Sequence, residues 1–512
     1  MIAATTLSEA FGHCYLTDPE RCRPYEVPER GLPGYSSGVL LPDTPEQVWQ
    51  ALEIANREGL SYVLSAGRTG LVEAQRPQGE VVLSLERLRE VKAFRLADGR
   101  GCEFAPGIGI DEARRQLLAW WTHQGRPELA GATVIAEAGL AVDALNELLG
   151  AVGRMFPMEM GSTATASVGA CVANASAGAN AVCYGTAAHM AAAAWGYWGD
   201  ASEAGPCSAG GWTRPAVDEL AIDSMRLPPA WGLAGSQGVF GLITRVELRT
   251  QAIPQSREGV LLAVDGMPEA MALLSLARAE FGNGIEEFEF LSRSAVELVL
   301  RRRGGDVRLP FDATPDLPYL VLLQIRSDRE DETLAERLYA FCSGAGGIDD
   351  RRIGYAPLPA LKKIRHSVTE ASNLELRALG GGRLSFDTAT PVARFGAYLH
   401  KLATELRRIR PDVQLIDFGH AGVGGAHLHL LGSADRSVAA DAAELTRCVI
   451  NITLDADGTF SAEHGVGPKW ADEMLSCTPA ARLQELAARK RRYDPRLVLQ
   501  PRSFGFDRLL KV

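Results

Sequence analysis

Short apolar runs and amphipathic stretches alternate along the first half of the chain, punctuated by glycine and proline. Residues 38–41 read as a strand and 42–44 as a turn. Pro45–Glu58 follows as a helix, with Thr44 as its N-cap, Pro45 in the first helical position and Gln47 three residues beyond the cap. Apolar runs at Tyr62–Ser65, 81–85 and 102–105 predict further strands, and 111–123 has the periodicity of an amphipathic helix. Residues 161–185 are dominated by Gly, Ala and Ser, and 239–250 reads as a strand that ends before Pro254. Beyond this point the pattern changes. Strands at 259–264, 285–291 and 319–325 alternate with helices at Met267–Phe281 and 330–343. Helices follow at 365–379, 391–410, 438–454 and Ala480–Tyr493, the last stopped by Asp494-Pro495. The whole is an α+β pattern with a boundary near 250–260 and no internal repeat.

At 512 residues the chain exceeds one hydrophobic core, so two or three domains are expected. The 46% hydrophobic and 23% charged fractions are those of a soluble globular protein. A net charge of −10 argues against nucleic acid as a main partner. The first residues have no basic start followed by an apolar segment, which excludes a signal peptide or anchor there. No apolar run approaches about 18 residues, so no integral membrane segment is expected; the alanine-rich stretch 187–194 is too short and contains His189. The nine cysteines are dispersed and form no CxxC pair, as expected of reduced thiols in a cytoplasmic protein without an iron–sulfur cluster.

Four of the nine histidines fall in two short glycine-rich stretches, FGHAGVGGAHLHLL (418–431) and SAEHGVGPKW (461–470). Imidazole and carboxylate are the ligands a divalent transition metal takes at neutral pH. His420 and His427 are seven residues apart. On a helix this is roughly 10 Å of rise, and on a continuous strand an odd offset puts them on opposite faces. A turn must intervene, and Gly419, Gly422, Gly424 and Gly425 supply it between strands at 413–418 and 426–431. In the second strand His427 and His429 share a face, with Leu428 and Leu430 pointing into a core. Glu463 can complete a His-His-Glu set, leaving His464 free to act as a base. The alternatives are a glycine-rich surface hairpin with incidental histidines, and an ion pair or helix cap for Glu463.

Three glycine loops lie in the first half: SAGRTGLVE directly after a strand, VGACVANASAGANAVCYG, and GSQGVFGLIT. Small residues let backbone N–H groups approach an anionic pyrophosphate. None forms a GxGxxG at a strand–helix junction, so a Rossmann site is not expected.

The order of these segments resembles the FAD-linked oxidases of the vanillyl-alcohol oxidase (PCMH-type) superfamily, in its D-lactate, glycolate and D-2-hydroxyglutarate dehydrogenase branch. LLPDTPEQV, AGRTGL, VVLSLERL, FP…GSTATASVGACVAN, YGT and GSQGVFGLIT carry the likeness in the first half. RHSVTEA, DTATP, the GH…H hairpin, EHGVGPK and DPRLVLQP carry it in the second. The resemblance covers about residues 38–505. Residues 1–32 read as a polar lead-in ahead of it. The resemblance implies a PCMH-type FAD-binding domain (33–255), an α+β substrate-capping domain with an antiparallel sheet (256–480), and a closing segment (481–512) that returns to the FAD domain.

The resemblance also implies roles. Ala66, Gly67, Arg68, Thr69 and Gly70 form the pyrophosphate loop, with Arg68 where the family usually has glycine. Gly161, Ser162, Ser167, Val168, Gly169 and Asn174 line a non-covalently held flavin, and Ile243 meets it through the backbone. His420, His427 and Glu463 correspond to metal ligands, His464 to the general base, and Arg365 and Thr369 to groups that hold a substrate carboxylate. Guanidinium suits that task, although Arg365 alone would read as a surface ion-pair partner. Some positions depart from the family pattern. GDGN is GVGG, SEGTLG is SQGVFG, and TNAGG is ANASAG. His429 replaces an asparagine, as a ligand or substrate contact. Ser385 stands where a lysine for a second substrate carboxylate is common, which leaves the substrate tail open.

The implied reaction is oxidation of a 2-hydroxy acid, of D configuration by analogy, to a 2-oxo acid with FAD and a divalent metal. Zinc is the first choice, with manganese, cobalt and iron as alternatives. Rival readings are a metal-free flavoenzyme acting on another alcohol or an amine, a non-haem iron oxygenase, and a non-catalytic FAD-binding subunit. The electron acceptor is left open among oxygen, a quinone, a cytochrome and an electron-transfer flavoprotein, and the assembly, if the chain associates, is expected to be a homodimer.

Overall fold

The computed structural model describes residues 2–208, 219–226, 232–313 and 315–510. The first residue of the expected lead-in, the last two of the closing segment, and 209–218 and 227–231 of the expected FAD domain lie outside them.

Among the described residues, the first half carries two larger sheets and a two-stranded pairing of Arg154–Met155 with Gln251–Ala252. A four-stranded sheet runs in the order Tyr15–Leu16, Val39–Leu40, Val81–Ser84, Tyr62–Ser65, with its first pair antiparallel and the others parallel. Helix Pro45–Glu58 covers it. Thr44 Oγ1 accepts from Gln47 N at 3.3 Å, and Gly59 closes the helix at φ +70, as the Thr-Pro start and terminal glycine predict. The stretch read as a polar lead-in contributes helices Ile2–Phe11 and Pro19–Glu26, and Leu7, Phe11 and Cys14 join this sheet's core. Polar residues outnumber those three, which hid the pattern.

A six-stranded antiparallel sheet lies beside it: Glu203–Ser208, Ala191–Trp198, Gly241–Arg249, Thr133–Glu137, Val91–Arg95, Gly101–Glu103. The alanine-rich stretch therefore ends in a strand. Alanine has low strand propensity, and packing on both neighbours overrides it.

The second half is built on one seven-stranded antiparallel sheet. Its order is Ile353–Gly354, Ser256–Val264, Tyr319–Ser327, Ile285–Ser292, Gln414–Gly419, Gly425–Ser433, Gly380–Ala389. Leu291, Ile416 and Phe418 on one face pack under helices Arg293–Arg303 and Leu358–Leu379. Phe288, Phe290, Leu428 and Leu430 on the other face pack under helices Met267–Phe281, Phe395–Ile409 and Ala442–Asp455. The helix read at 365–379 begins at Leu358, because Pro359 fits its first turn and Leu361 and Ile364 extend the apolar stripe. The helix read at 330–343 begins at Leu334 and gives way to a π-helical turn at Phe341–Ala345. The strand read at 102–105 is Gly101–Glu103.

The end of the chain returns to the first half. Tyr62 N donates to Val498 O at 2.6 Å, and Gln500 N donates to Tyr62 O at 2.9 Å. Lys490 and Asp494, both with 0% side-chain exposure, pair at 2.7 Å, and the ammonium also donates to Leu499 O at 2.7 Å.

Candidate active site

A cavity of about 710 Å³ lies between the two halves, with glycine loops on one wall and the histidine hairpin on the other. The loop wall suits an anion. Among the described residues, none of the amides of 66–70 donates a hydrogen bond within the protein. Small residues are required for this packing: a Cβ on Gly67 would lie 2.0 Å from Thr165 O, and one on Gly169 would lie 2.3 Å from Ala138 Cβ. Ser167 Oγ accepts from Ala170 N at 3.4 Å and starts helix Val168–Ala173. Arg68 adopts φ +59, which explains why glycine suits that position. Its side chain is ion-paired with Glu86 and lies 4.8 Å over the Tyr25 ring, so its contribution to the cradle is backbone.

Ala66, Gly67, Arg68, Thr69, Gly70, Gly161, Ser162, Ser167, Gly169, Asn174 and Ile243 all border the cavity. Val168 does not: its side chain is fully buried in the core, and its N–H donates to Leu140 O at 2.9 Å. As the first residue of a helix capped by Ser167, it faces inward.

The hairpin folds as its glycines predict. Gly419 and Gly424 take φ +148 and +71, and a Cβ on Gly424 would meet Thr390 O at 2.1 Å. Phe418 pairs with His427 and Ile416 with His429, and across the next strand Asp387 lies opposite His427 and Ser385 opposite His429. The turn brings His420 Nε2 to 3.3 Å from His427 Nε2. Glu463 Oε1 lies 3.6 Å from the first nitrogen and 3.4 Å from the second. Ligands bound tetrahedrally at about 2.0–2.1 Å stand about 3.3–3.4 Å apart, whereas octahedral neighbours at about 2.1 Å stand about 3.0 Å apart. The triangle is small enough for one divalent cation to reach all three atoms. Glu463 Oε2 is buried and without a hydrogen-bond partner. Asp387, His427, Glu463 and His464 form a second group whose ligand atoms lie within 4.8 Å. Asp387 Oδ2 already accepts from Glu463 N and His464 N, both at 2.8 Å, so the tighter His420/His427/Glu463 set fits a cation better.

Burial opposes a charge on His420, yet Glu289 and Glu463 outweigh it and raise its pKa to about 10. Burial and the neighbouring His420 and His464 hold His427 well below the usual imidazole range, in the neutral form a metal requires. Burial opposes ionisation of Glu463, and His420 reverses this and lowers its pKa. Glu289 Oε1 meets His420 Nδ1 at 2.7 Å. A carboxylate on the far nitrogen of a ligating imidazole orients the ring and raises its basicity.

Arg365 is buried rather than a surface residue. Its Nε donates to Glu289 Oε2 at 2.9 Å, and its guanidinium lies 4.8 Å over the Phe418 ring. Its two terminal nitrogens make no hydrogen bond among the described residues, which leaves a fork for a carboxylate. Thr369, one helical turn on, borders the same cavity. His464 Nδ1 faces Asp387 Oδ2 at 3.5 Å, and its ring stacks on His427 with centroids 5.3 Å apart. His429 Nδ1 bonds Ser372 Oγ at 2.8 Å, and the residue borders the same cavity.

Glu289 and the anchoring role of Asp387 do not stand out in the sequence reading. A signal for Glu289 exists: strand Ile285–Ser292 is buried throughout, yet it carries Glu286, Glu287 and Glu289. Buried carboxylates are kept only with partners. Gln237 also escapes notice. Its Oε1 accepts from Val466 N at 2.8 Å and its Nε2 donates to Ser224 O at 2.6 Å, tying the third glycine loop to the Glu463-His464 turn.

Comparison with known proteins places the chain among flavin-linked oxidases. The family described as "FAD linked oxidases, C-terminal domain" matches residues 253–504, and "FAD binding domain" matches 36–127 and 124–194. A D-2-hydroxyglutarate dehydrogenase of Xanthomonas citri pv. viticola is 24% identical over 472 residues, covering 90% of this chain and 88% of that protein. A mitochondrial D-2-hydroxyglutarate dehydrogenase of Bos taurus is 24% identical over 500 residues, covering 95% and 80%. Among solved structures, p-cresol methylhydroxylase with substrate bound has a TM-score of 0.66 at 12% identity. 4-Ethylphenol oxidase from Gulosibacter chungangensis has 0.67 at 16%, and each comparison covers 98% of this chain and 96% of the other.

Proposed function

The chain belongs to the FAD-linked oxidases of the PCMH-type fold, and on that premise we propose that it is a metal-assisted dehydrogenase that converts a D-2-hydroxy acid to the 2-oxo acid. The names of the two dehydrogenase relatives support the substrate class. The observation that carries the proposal is the convergence of His420, His427 and Glu463 to 3.3–3.6 Å in the cavity that also holds the free Arg365 fork and the loop cradle.

When bound, FAD would supply the two-electron oxidant, and a divalent cation, zinc the first choice for a mixed His/Glu set, would supply Lewis acidity at the substrate oxygens. Amides 66–70 and the helix capped by Ser167 hold the cofactor. Arg365 takes the substrate carboxylate through its terminal nitrogens, with Thr369 beside it, while Glu289 and Phe418 fix the guanidinium plane. His464 receives the hydroxyl proton at Nε2. Asp387 favours the proton on its Nδ1 and, through two backbone amides, fixes the turn on which His464 rides.

Anaerobic mixing of the FAD-loaded protein with 2-hydroxy acids, other alcohols and amines, with metal content measured in parallel, tests this reading. The 2-hydroxy acids should bleach the flavin. His427→Ala should lose metal and about 10²–10⁴ in kcat while keeping FAD. Full activity of metal-free protein, or bleaching by an amine but by no hydroxy acid, would refute it.

A further inference from the structure

A second cluster of metal-type side chains lies in the first half of the chain, outside the main cavity. Cys14 Sγ stands 3.0 Å from Asp43 Oδ2 and 3.6 Å from His13 Nε2, and His13 Nε2 stands 3.8 Å from Asp43 Oδ2. None of the three residues borders the cavity that holds the histidine hairpin.

The backbone places two of these groups. Gly12 takes φ +51 after helix Ile2–Phe11 and opens the short 3-10 turn Gly12–Cys14. The chain then enters strand Tyr15–Leu16: Leu41 N donates to Cys14 O at 2.9 Å, and Tyr15 stands opposite Leu40. Asp43 lies in the turn that starts helix Pro45–Glu58, where its N–H donates to Gln47 Oε1 at 2.6 Å. Cys14 is 1% exposed and forms the floor of the cluster. The His13 and Asp43 side chains, 84% and 44% exposed, form its solvent side.

Thiolate, imidazole and carboxylate are donors that zinc takes at about 2.0–2.3 Å. Separations of 3.0–3.8 Å let one ion reach all three, with water in a further position. The thiol donates to Asp43 Oδ2, so the carboxylate already faces the sulfur. Arg87 Nη1 takes the other oxygen, Oδ1, at 3.1 Å and lies 3.7 Å from Cys14 Sγ. It orients Oδ2 and favours the thiolate, against the burial and the Asp43 carboxylate that push the thiol's pKa up. A divalent ion would displace the thiol proton to solvent, and the thiolate and carboxylate would then balance its two charges.

We propose that His13, Cys14 and Asp43 bind a second divalent cation, zinc by their chemistry, which clamps the end of the N-terminal helix to the turn that starts helix Pro45–Glu58. Leu7 and Phe11 of the first helix and Val48 and Leu52 of the second share the core on the four-stranded sheet, so the clamp is structural and stands apart from the reaction. It does not depend on the hydroxy-acid reading of the main cavity.

Zinc content and the sulfur ligand are read separately. The FAD-loaded protein, dialysed against excess zinc and freed of unbound metal, should hold two zinc ions per chain, and Cys14→Ser should hold one with its FAD content unchanged. His13→Ala alters an exposed side chain and spares the core. It should weaken the second ion at least about tenfold in competition with a chromophoric chelator, since losing a ligand costs no less than losing a ligand's outer-shell partner. Cobalt in place of zinc identifies the thiolate. The difference spectrum of cobalt- and zinc-loaded protein should show a thiolate-to-cobalt charge-transfer band that persists in His427→Ala and vanishes in Cys14→Ser. Absence of the band from the parent, or zinc binding unchanged in both Cys14→Ser and His13→Ala, overturns the clamp. A single zinc that His427→Ala keeps and Cys14→Ser loses would support the clamp and strike the metal of the main cavity instead.

Discussion

His420 stands between two carboxylates, Glu289 on its Nδ1 and Glu463 on its Nε2. Glu289 also holds Arg365, so one buried side chain orients both the His420 ring and the Arg365 guanidinium. Glu289→Gln should lower zinc affinity by about 10–100-fold, read by competition with a chromophoric chelator. Unaltered affinity would show that the His420 ring is positioned by packing alone. Gln237 shows the same economy of means. Where a family glutamate could accept from Val466 N, the amide can also donate to Ser224 O, so this departure lets one side chain satisfy two backbone groups.

At the scale of elements, two turns place the chemistry. Gly467 sits at φ +53, and a Cβ there would lie 2.3 Å from Val72 O. Gly467→Ala should cost about 1–3 kcal/mol by thermal unfolding and lower kcat with it, since His464 rides on the same turn. A variant as stable as the parent would mean that the turn yields freely. These turns were the readable part of the sequence, because glycines around a histidine pair state a backbone need directly. Strand pairing was less readable. Thr133–Glu137 is short, and its partners Val91–Arg95 and Gly241–Arg249 lie far along the chain. Ala191–Trp198 opens on four alanines, which carry no alternation.

Across the whole molecule, the end of the chain closes onto its beginning. Lys490 and Asp494 lie wholly out of solvent, where burial pushes the ammonium's pKa down and Asp494 pulls it back. Asp494 also accepts from Val498 N at 2.8 Å and Leu499 N at 2.9 Å, positioning the residues that run beside Tyr62. Removing one partner leaves a buried charge, so Lys490→Ala should destabilise the FAD-loaded protein by about 3–5 kcal/mol in denaturant unfolding. A loss under about 1 kcal/mol would show that water reaches Asp494.

The Gln237–Val466 bond has a bearing on recombination. Grafting this second half onto the flavin half of a distant cousin yields a chimera whose Val466 amide is paired only if the host supplies an acceptor at the equivalent of 237. Without one, a buried donor worth about 1–3 kcal/mol is stranded two residues beyond His464. The two halves are therefore not freely interchangeable modules, and one loop residue travels with the other half as part of its inheritance.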